Sequence, residues 1–305
     1  MTYSIVARDK DTGELGVAVQ SHWFSVGSIV SWARAGVGAV ATQANVEASY
    51  GPLGLDLMAS GKSAEEALEA LLQVDPRADT RQVAMVDAKG GVSVHTGKKC
   101  FPCAGHFKGD TFSCEANLMR NDRIWGSMAK SFKVESNKVP KSKRLSFAER
   151  LIATLEAGEA AGGDIRGKQS AAILVVSPKL ASNSWQGRLV DLRVEDSEAP
   201  LPEIKRLLNL QRAYEFANQG DDLVSLGKFE DSIKAYEKAG KLAPSIEELR
   251  FWQAVSLARA GKLKDAKPIF KQVFSKNKDW IQVARSLPKV GLLQGPIVRE
   301  IVTTR

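Results

Sequence analysis

Threonine 2 carries two groups that could act together once the preceding methionine is removed: a hydroxyl and a free α-amine on one residue. A threonine oxygen is a weak nucleophile at neutral pH because its proton is held tightly. An adjacent neutral amine, with a reference pKa near about 8, can take that proton directly or through water, while backbone amides stabilise the oxyanion formed on an attacked carbonyl. Thr2 is small enough for ordinary removal of an initiator methionine. The plainer reading of the same residue is the start of a strand, and the residue alone leaves both open.

A second candidate is the segment GGDIRGKQS at residues 162–170. Gly162, Gly163 and Gly167 let backbone amides approach a ligand or another part of the chain, and Asp164 and Arg166 add opposite charges just before an apolar run. An ion pair of Asp164 with Arg166 or with Arg81 is the structural alternative. The segment matches neither a phosphate-binding GxxxxGK[ST] loop nor a GxGxxG dinucleotide fingerprint, and GxSxG, HExxH and DFG are absent. His22, beside Trp23 and Phe24 at a strand end, could face a pocket or be a hydrogen-bonded boundary residue; His95 and His106 carry the same ambiguity. Cys100, Cys103, His106 and Cys114 have a composition that could hold tetrahedral zinc, yet Pro102 lies inside the only CxxC pair, so no metal and no cofactor is expected.

Alternating β-branched and small residues predict strands at 3–9 and 15–21 joined by a DKDTG turn, then at 36–43, 82–87, 91–97, 169–176 and 188–195. Helical spacing predicts helices at 49–60, 63–74, 117–134 and 145–157, with Ser63 and Glu66 as a capping box. Strand pairs followed by helix pairs describe a layered α+β domain over residues 1–203. Ser197, Pro200 and Pro202 mark its end.

Residues 204–305 are helical and repetitive: Leu223 and Leu257, Gly227 and Gly261, Phe229 and Leu263, and Tyr236 and Phe270 are each 34 residues apart. The segment 213–244 resembles a tetratricopeptide repeat through Gly220, Gly227, Phe229, Tyr236, Ala239 and Pro244, departing from it at Ser232. The chain's net charge of +8 comes from this region, which has 19 Lys and Arg against 11 Asp and Glu, whereas residues 1–203 have 24 of each. The lysines are scattered and no aromatics interleave with them, which argues against nucleic acid and leaves an acidic protein or peptide as the expected partner, with a solvated basic face or a homo-oligomer as alternatives. Without a basic start leading into an apolar run, or any membrane-length apolar stretch, the expectation is a cytoplasmic protein with no membrane partner.

The blocks MTYSIVARDKDTGELGVAVQSHWFSVG, WARAGVGAVATQA, YGPLGLDLMASG, RQVAMVDAKG, HTGKKC, AGHFKGDTFS and LEAGEAAGGDIRGKQSAAILV, in that order over residues 1–209, resemble the domain of unknown function 1028 family, placed among the Ntn-hydrolase-like folds. The resemblance implies a four-layer αββα domain in which the first residue of the mature chain attacks a carbonyl, usually of a C–N bond. Thr2 matches the potential nucleophile. Ser21, His22, Gln43, Arg81, Asn117, Asp164, Arg166 and Gln169 match polar positions that could line its pocket and bind a small amide substrate. The sequence departs from the family pattern at Cys114, Glu115 and Ala116 before Asn117, at Cys103, and after Glu195 and Asp196. The expected function is therefore an N-terminal-nucleophile amidohydrolase joined to a helical interaction module, the alternative being a noncatalytic scaffold or ligand-binding protein on the same fold.

Overall fold

A computed structural model describes residues 2–137, 145–183 and 186–303. The chain divides into two compact units, Met1–Lys205 and Arg206–Arg305.

The first unit begins with strand β1 (Thr2–Arg8), which turns through Asp9 into β2 (Leu15–Ser21). The turn is fixed by the Asp9 carboxylate, which accepts from the amides of Asp11 and Thr12 at 2.7 and 2.9 Å. Then come β3 (Ser31–Arg34), β4 (Gly38–Ala44), helices α1 (Tyr50–Ala59) and α2 (Ala64–Val74), β5 (Arg81–Asp87) and β6 (Val92–Thr96). The capping box at Ser63 and Glu66 is present, satisfying two of the donors that every helix start leaves unpaired. β7 (Gly105–Lys108), β8 (Phe112–Asn117), α3 (Ile124–Asn137), α4 (Phe147–Ala160), β9 (Ser170–Val176) and β10 (Arg188–Val194) complete the unit.

Among the described residues the strands form two sheets, β10-β9-β2-β1-β8-β7 and β3-β4-β5-β6, antiparallel throughout. Helices α3 and α4 pack on the first sheet, α1 and α2 on the second, and the sheets meet through β1, β2 and β8 against β3, β4 and β5. The period-2 alternation of each strand decides what lies where. Val6, Val17, Val19, Ala39, Ala41, Ala84, Val86 and Leu174 share the apolar core between the sheets, while Val40, Val83 and Met85 on the other face pack with Tyr50, Leu55 and Leu68 of the helices.

Three segments differ from the sequence reading. β3 is a four-residue strand in a stretch without predicted structure, and β7 and β8 occupy a predicted loop. The helix expected from residue 117 starts at Ile124, because Asn117 still belongs to β8.

Helix α5 (Pro200–Ser225) contains the division between the units. Beyond it lie α6 (Phe229–Leu242), α7 (Glu247–Arg259), α8 (Leu263–Lys276), α9 (Asp279–Ser286) and α10 (Gly295–Thr303). The starts of α6 and α8 are in register with the 34-residue spacing. Gly227 and Gly261 take the left-handed conformation, at φ 71° and 76°, just before these two helices. Tyr236 and Phe270 are both buried, and Ser232 is accommodated by a 2.8 Å hydrogen bond between its hydroxyl and that of Ser256. Among the described residues, no helix is long and apolar enough to cross a membrane.

Candidate active site

One end of the space between the two sheets is polar instead of apolar, and Thr2 stands at its edge. β1 is flanked by β2 and β8, with Thr2 opposite Ser21 on one side and Asn117 on the other. The Thr2 hydroxyl donates to the Ser21 hydroxyl at 3.1 Å. Its carbonyl lies 3.4 Å from both Gln43 Nε2 and Asn117 Nδ2. Thr2 is only 3% exposed, and Ser21, Gln43 and Asn117 are fully buried. Met1 lies outside the described residues.

Gln82 ties these groups together. Its Oε1 accepts from Gln43 Nε2 at 2.8 Å and from Asn117 Nδ2 at 2.9 Å, and the two protons of its Nε2 are shared among the Ala116 carbonyl at 3.0 Å, the Thr96 hydroxyl at 3.0 Å and the Gly105 carbonyl at 3.2 Å. Ser4, two residues along β1 on the same face as Thr2, lies between Gln43 and Glu115, and Ser113 donates to Glu115 at 2.9 Å. Burial pushes the Glu115 carboxyl up to about 8, against the opposing effect of its hydrogen bonds to Ser4 and Ser113. Among the named acceptors, Asn117 Oδ1 is buried without a hydrogen-bond partner.

The backbone is distorted at this end. Ala44 and Leu118, immediately after Gln43 and Asn117, have φ of 70° and 55°. A non-glycine residue there costs about 1–2 kcal/mol, and such residues collect at sites where geometry is held for a purpose.

A second group of the expected residues lies on the loops beyond the strand ends. Asp164 is 2% exposed and accepts from the Arg166 guanidinium at 2.7 Å and from the His22 backbone amide at 3.3 Å. It also forms an isolated bridge with Met119, two residues past Asn117. The Gln169 amide donates to the Ser21 carbonyl at 3.1 Å, and its side chain reaches Asp196 at 3.1 Å. The His22 Nδ1 is buried and has no hydrogen-bond partner. Asp164 thus pairs with Arg166, and the 162–170 loop is pinned to both strands that flank β1.

Arg81 stands apart. It follows the alternation of β5 to the face opposite Gln82, where Nε donates to Asp75 at 2.7 Å and Nη1 to the Asn45 carbonyl at 2.6 Å. The hydrogen bond from Arg81 holds the Asp75 carboxyl down to about 2.

The cysteines do not converge. Cys114 is buried in β8, Cys103 is exposed, and the half-buried Cys100 donates to the Arg81 carbonyl at 3.4 Å. Among the described residues, no group of three or more His, Cys, Asp or Glu side chains is arranged to hold a metal ion.

Ser4, Gln82, Ser113 and Glu115 were not anticipated. Their signal was the i, i+2 spacing of Thr2 with Ser4 and of Ser113, Glu115 and Asn117, a polar face that becomes visible only once residues 112–117 are taken as a strand.

Residues 2–204 match the family described as "Family of unknown function (DUF1028)", and the chain belongs to that family. It is similar to a solved structure, the crystal structure of protein SPO2555 from Silicibacter pomeroyi, also described as DUF1028. The identity is 26%, the TM-score 0.59, and the match covers 68% of this chain and 87% of that one. No curated protein matches the chain.

Proposed function

We propose that the first unit is an N-terminal-nucleophile amidohydrolase with a four-layer αββα Ntn-hydrolase-like arrangement, in which Thr2, exposed as the first residue by removal of Met1, is the nucleophile. The observation that carries this reading is the convergence on Thr2 of Ser21, Gln43 and Asn117 from three other strands, in a buried polar cluster at one end of an otherwise apolar inter-sheet space.

In this reading the Thr2 amine takes the hydroxyl proton and Oγ1 attacks the substrate carbonyl carbon. The tetrahedral intermediate collapses with transfer of that proton to the departing amine, leaving an ester on Thr2. Water, deprotonated by the same amine, hydrolyses the ester and restores the hydroxyl. The reaction needs no cofactor. Gln43 and Asn117 hold the Thr2 peptide unit through its carbonyl, and Asn117 Oδ1, an acceptor in register with Thr2, is available to the α-amine. Ser21 orients the hydroxyl. His22, Asp164, Arg166 and Gln169 form the loop wall against which a small amide substrate would lie. Arg81, committed to Asp75 and Asn45, serves by fixing the end of β5 beside Gln82. The second unit is read as a tetratricopeptide-like module on the strength of its repeated glycine turns and buried Tyr236 and Phe270.

The test is intact-mass measurement of natively expressed protein, followed by turnover of a panel of acyl-anilides and dipeptides. The expected result is a chain lacking Met1, with turnover abolished by Thr2→Ala and retained in Thr2→Ser. Complete retention of Met1, or turnover indifferent to Thr2→Ala, would sink the Thr2 mechanism, and a chain that turns over none of the panel would leave the noncatalytic, ligand-binding reading.

A further inference from the structure

The hydrogen-bond network around Gln82 has one consistent orientation of its side-chain amides, and it can be worked out from groups whose roles are fixed. The carbonyls of Gly105 and Ala116 can only accept, so the Gln82 side-chain nitrogen must be the atom that faces them. Gln82 Oε1 then faces Gln43 and Asn117, each of which must present its NH2 group to it. Gln43 Oε1 is therefore turned to Ser4, whose hydroxyl oxygen lies 2.8 Å away. Ser4 has a single proton, and that proton is required by Gln43. Yet the same hydroxyl oxygen lies 2.7 Å from Glu115 Oε1. Two oxygens at that distance need a proton between them, and the one on Ser4 is already used. The remaining source is Glu115, whose other oxygen accepts from Ser113.

We propose that Glu115 is held as a neutral carboxylic acid and acts as a positioning residue, donating to Ser4 so that Ser4, Gln43 and Gln82 are locked in the one orientation that aims the Gln43 side-chain amide at the Thr2 carbonyl. The protonation stands on this geometry alone; its catalytic consequence rests on the amidohydrolase reading. Glu115 is fully buried, and burial acts in the same direction by disfavouring the charged form. A carboxylate here would leave Gln43 Oε1 facing a hydroxyl oxygen with no proton to share, at the full cost of an unsatisfied buried acceptor.

The groups that could compete in a titration are few. β1 contributes the Thr2 amine once Met1 is removed, and β4 and β5 face the acid with the neutral Gln43 and Gln82. β7 places His106 directly opposite Glu115, and its Nδ1 lies 2.9 Å from the Thr96 hydroxyl. β6 carries His95, which pairs with the Ala78 carbonyl. On β8 itself Cys114 points to the other face, towards Lys133 of α3. Burial lowers the His106 pKa, so its linkage makes stability rise with pH, opposite in sign to the slope that Glu115 gives.

The test uses the full chain and two readouts that do not depend on finding a substrate. Infrared difference spectra between pH 6 and pH 9, with carboxyl-labelled glutamate, should show the carbonyl stretch of a protonated acid giving way to carboxylate, and Glu115→Gln should abolish that signal. Unfolding equilibria should show the parent losing stability as pH rises from about 4.5 to about 8, because the unfolded chain releases the proton first; the loss approaches tenfold in the folding constant per pH unit in mid-window. Glu115→Gln, which keeps a donor for Ser4 and an acceptor for Ser113, should fold and lose this slope, while Glu115→Ala should be destabilised at every pH. A parent spectrum that is carboxylate already at pH 6 would overturn the proposal, as would a Glu115→Gln protein as destabilised as Glu115→Ala. If both readouts agree with the proposal and no amide is turned over, the amidohydrolase reading fails while the neutral acid stands.

Discussion

Arg81 and Gln82 are neighbours in sequence and point to opposite faces of β5, so one is bound to the helix side and the other to the polar cluster. Arg81 is among the largest fully buried side chains, and its charge is matched by Asp75, whose own side chain is 11% exposed. Asp75→Asn would leave the buried guanidinium with only the more distant, partly exposed Glu47 carboxylate at 3.8 Å as counter-charge, a loss of about 2–4 kcal/mol in chemical denaturation. A change below about 1 kcal/mol would mean that Glu47, the Asn45 carbonyl and solvent suffice. Because the Asp75 carboxyl is lowered to about 2, its contribution is present above the ordinary aspartate range, near 3.8, and is lost as pH falls through about 2. That places the pair on the acid limb of the stability profile, while Glu115 governs the fall in stability from about pH 4.5 to about 8. At this scale the sequence showed residue types but not which face each would take. The sequence points to Thr2 as a nucleophile and to Ser21, Gln43, Asn117 and Arg81 as pocket residues; the first four lie together, and the alternation of β5 turns Arg81 away from them. Glu115, read as a departure from the family pattern, lies at the far end of the network that holds the Thr2 carbonyl.

The elements that were legible are those whose apolar residues face a large core. β1, β2, β4, β5, β6 and β9 alternate against Val, Ala and Leu partners between the sheets, and α2 declares itself by its capping box. β8 is not legible in the sequence because its inward face is Ser113, Glu115 and Asn117. Buried polar residues look like solvent-facing ones until their partners across the space are known, and those partners lie on strands far away in sequence. β3 and β7, four residues each, are too short for alternation to register. In the second unit the signal was repetition, and the repeated glycines carry a prediction. Gly227 and Gly261 both take positive φ, and a Cβ at either would meet nothing within 4 Å. Gly227→Ala and Gly261→Ala should therefore each cost about 1 kcal/mol from the backbone conformation alone, and roughly additively. Gly220→Ala differs, since its Cβ would lie 2.6 Å from the Tyr236 ring, so it should cost more than either turn glycine. Thermal unfolding of the three variants ranks them, and an equal cost for all three would refute the distinction between backbone strain and steric clash.

Across the whole chain the positive charge is concentrated away from the unit that carries the Thr2 cluster. Residues 1–203 are balanced and residues 204–305 carry the entire excess of eight. Several of the lysines in this excess already hold acidic neighbours: Lys234 lies 3.2 Å from Asp231, Lys262 2.8 Å from Glu230, and Lys267 2.5 Å from Glu300. All three pairs are substantially exposed, so each is worth at most about 1 kcal/mol, and a polyanion can exchange itself for the internal carboxylate at little cost. We therefore expect the full chain to bind a soluble poly-glutamate probe at low salt and to release it as the screening length shrinks from about 10 Å at 0.1 M to about 3 Å at 1 M. Replacing Lys228, Lys234, Lys262 and Lys267 together by Gln should weaken that binding at least severalfold, while leaving any turnover at Thr2 unchanged because the first unit keeps its own charge balance. Binding that persists at 1 M salt would point to apolar recognition. Binding at low salt that is indifferent to the four substitutions would show that the excess charge is a dispersed, solvated surface with no recognition role.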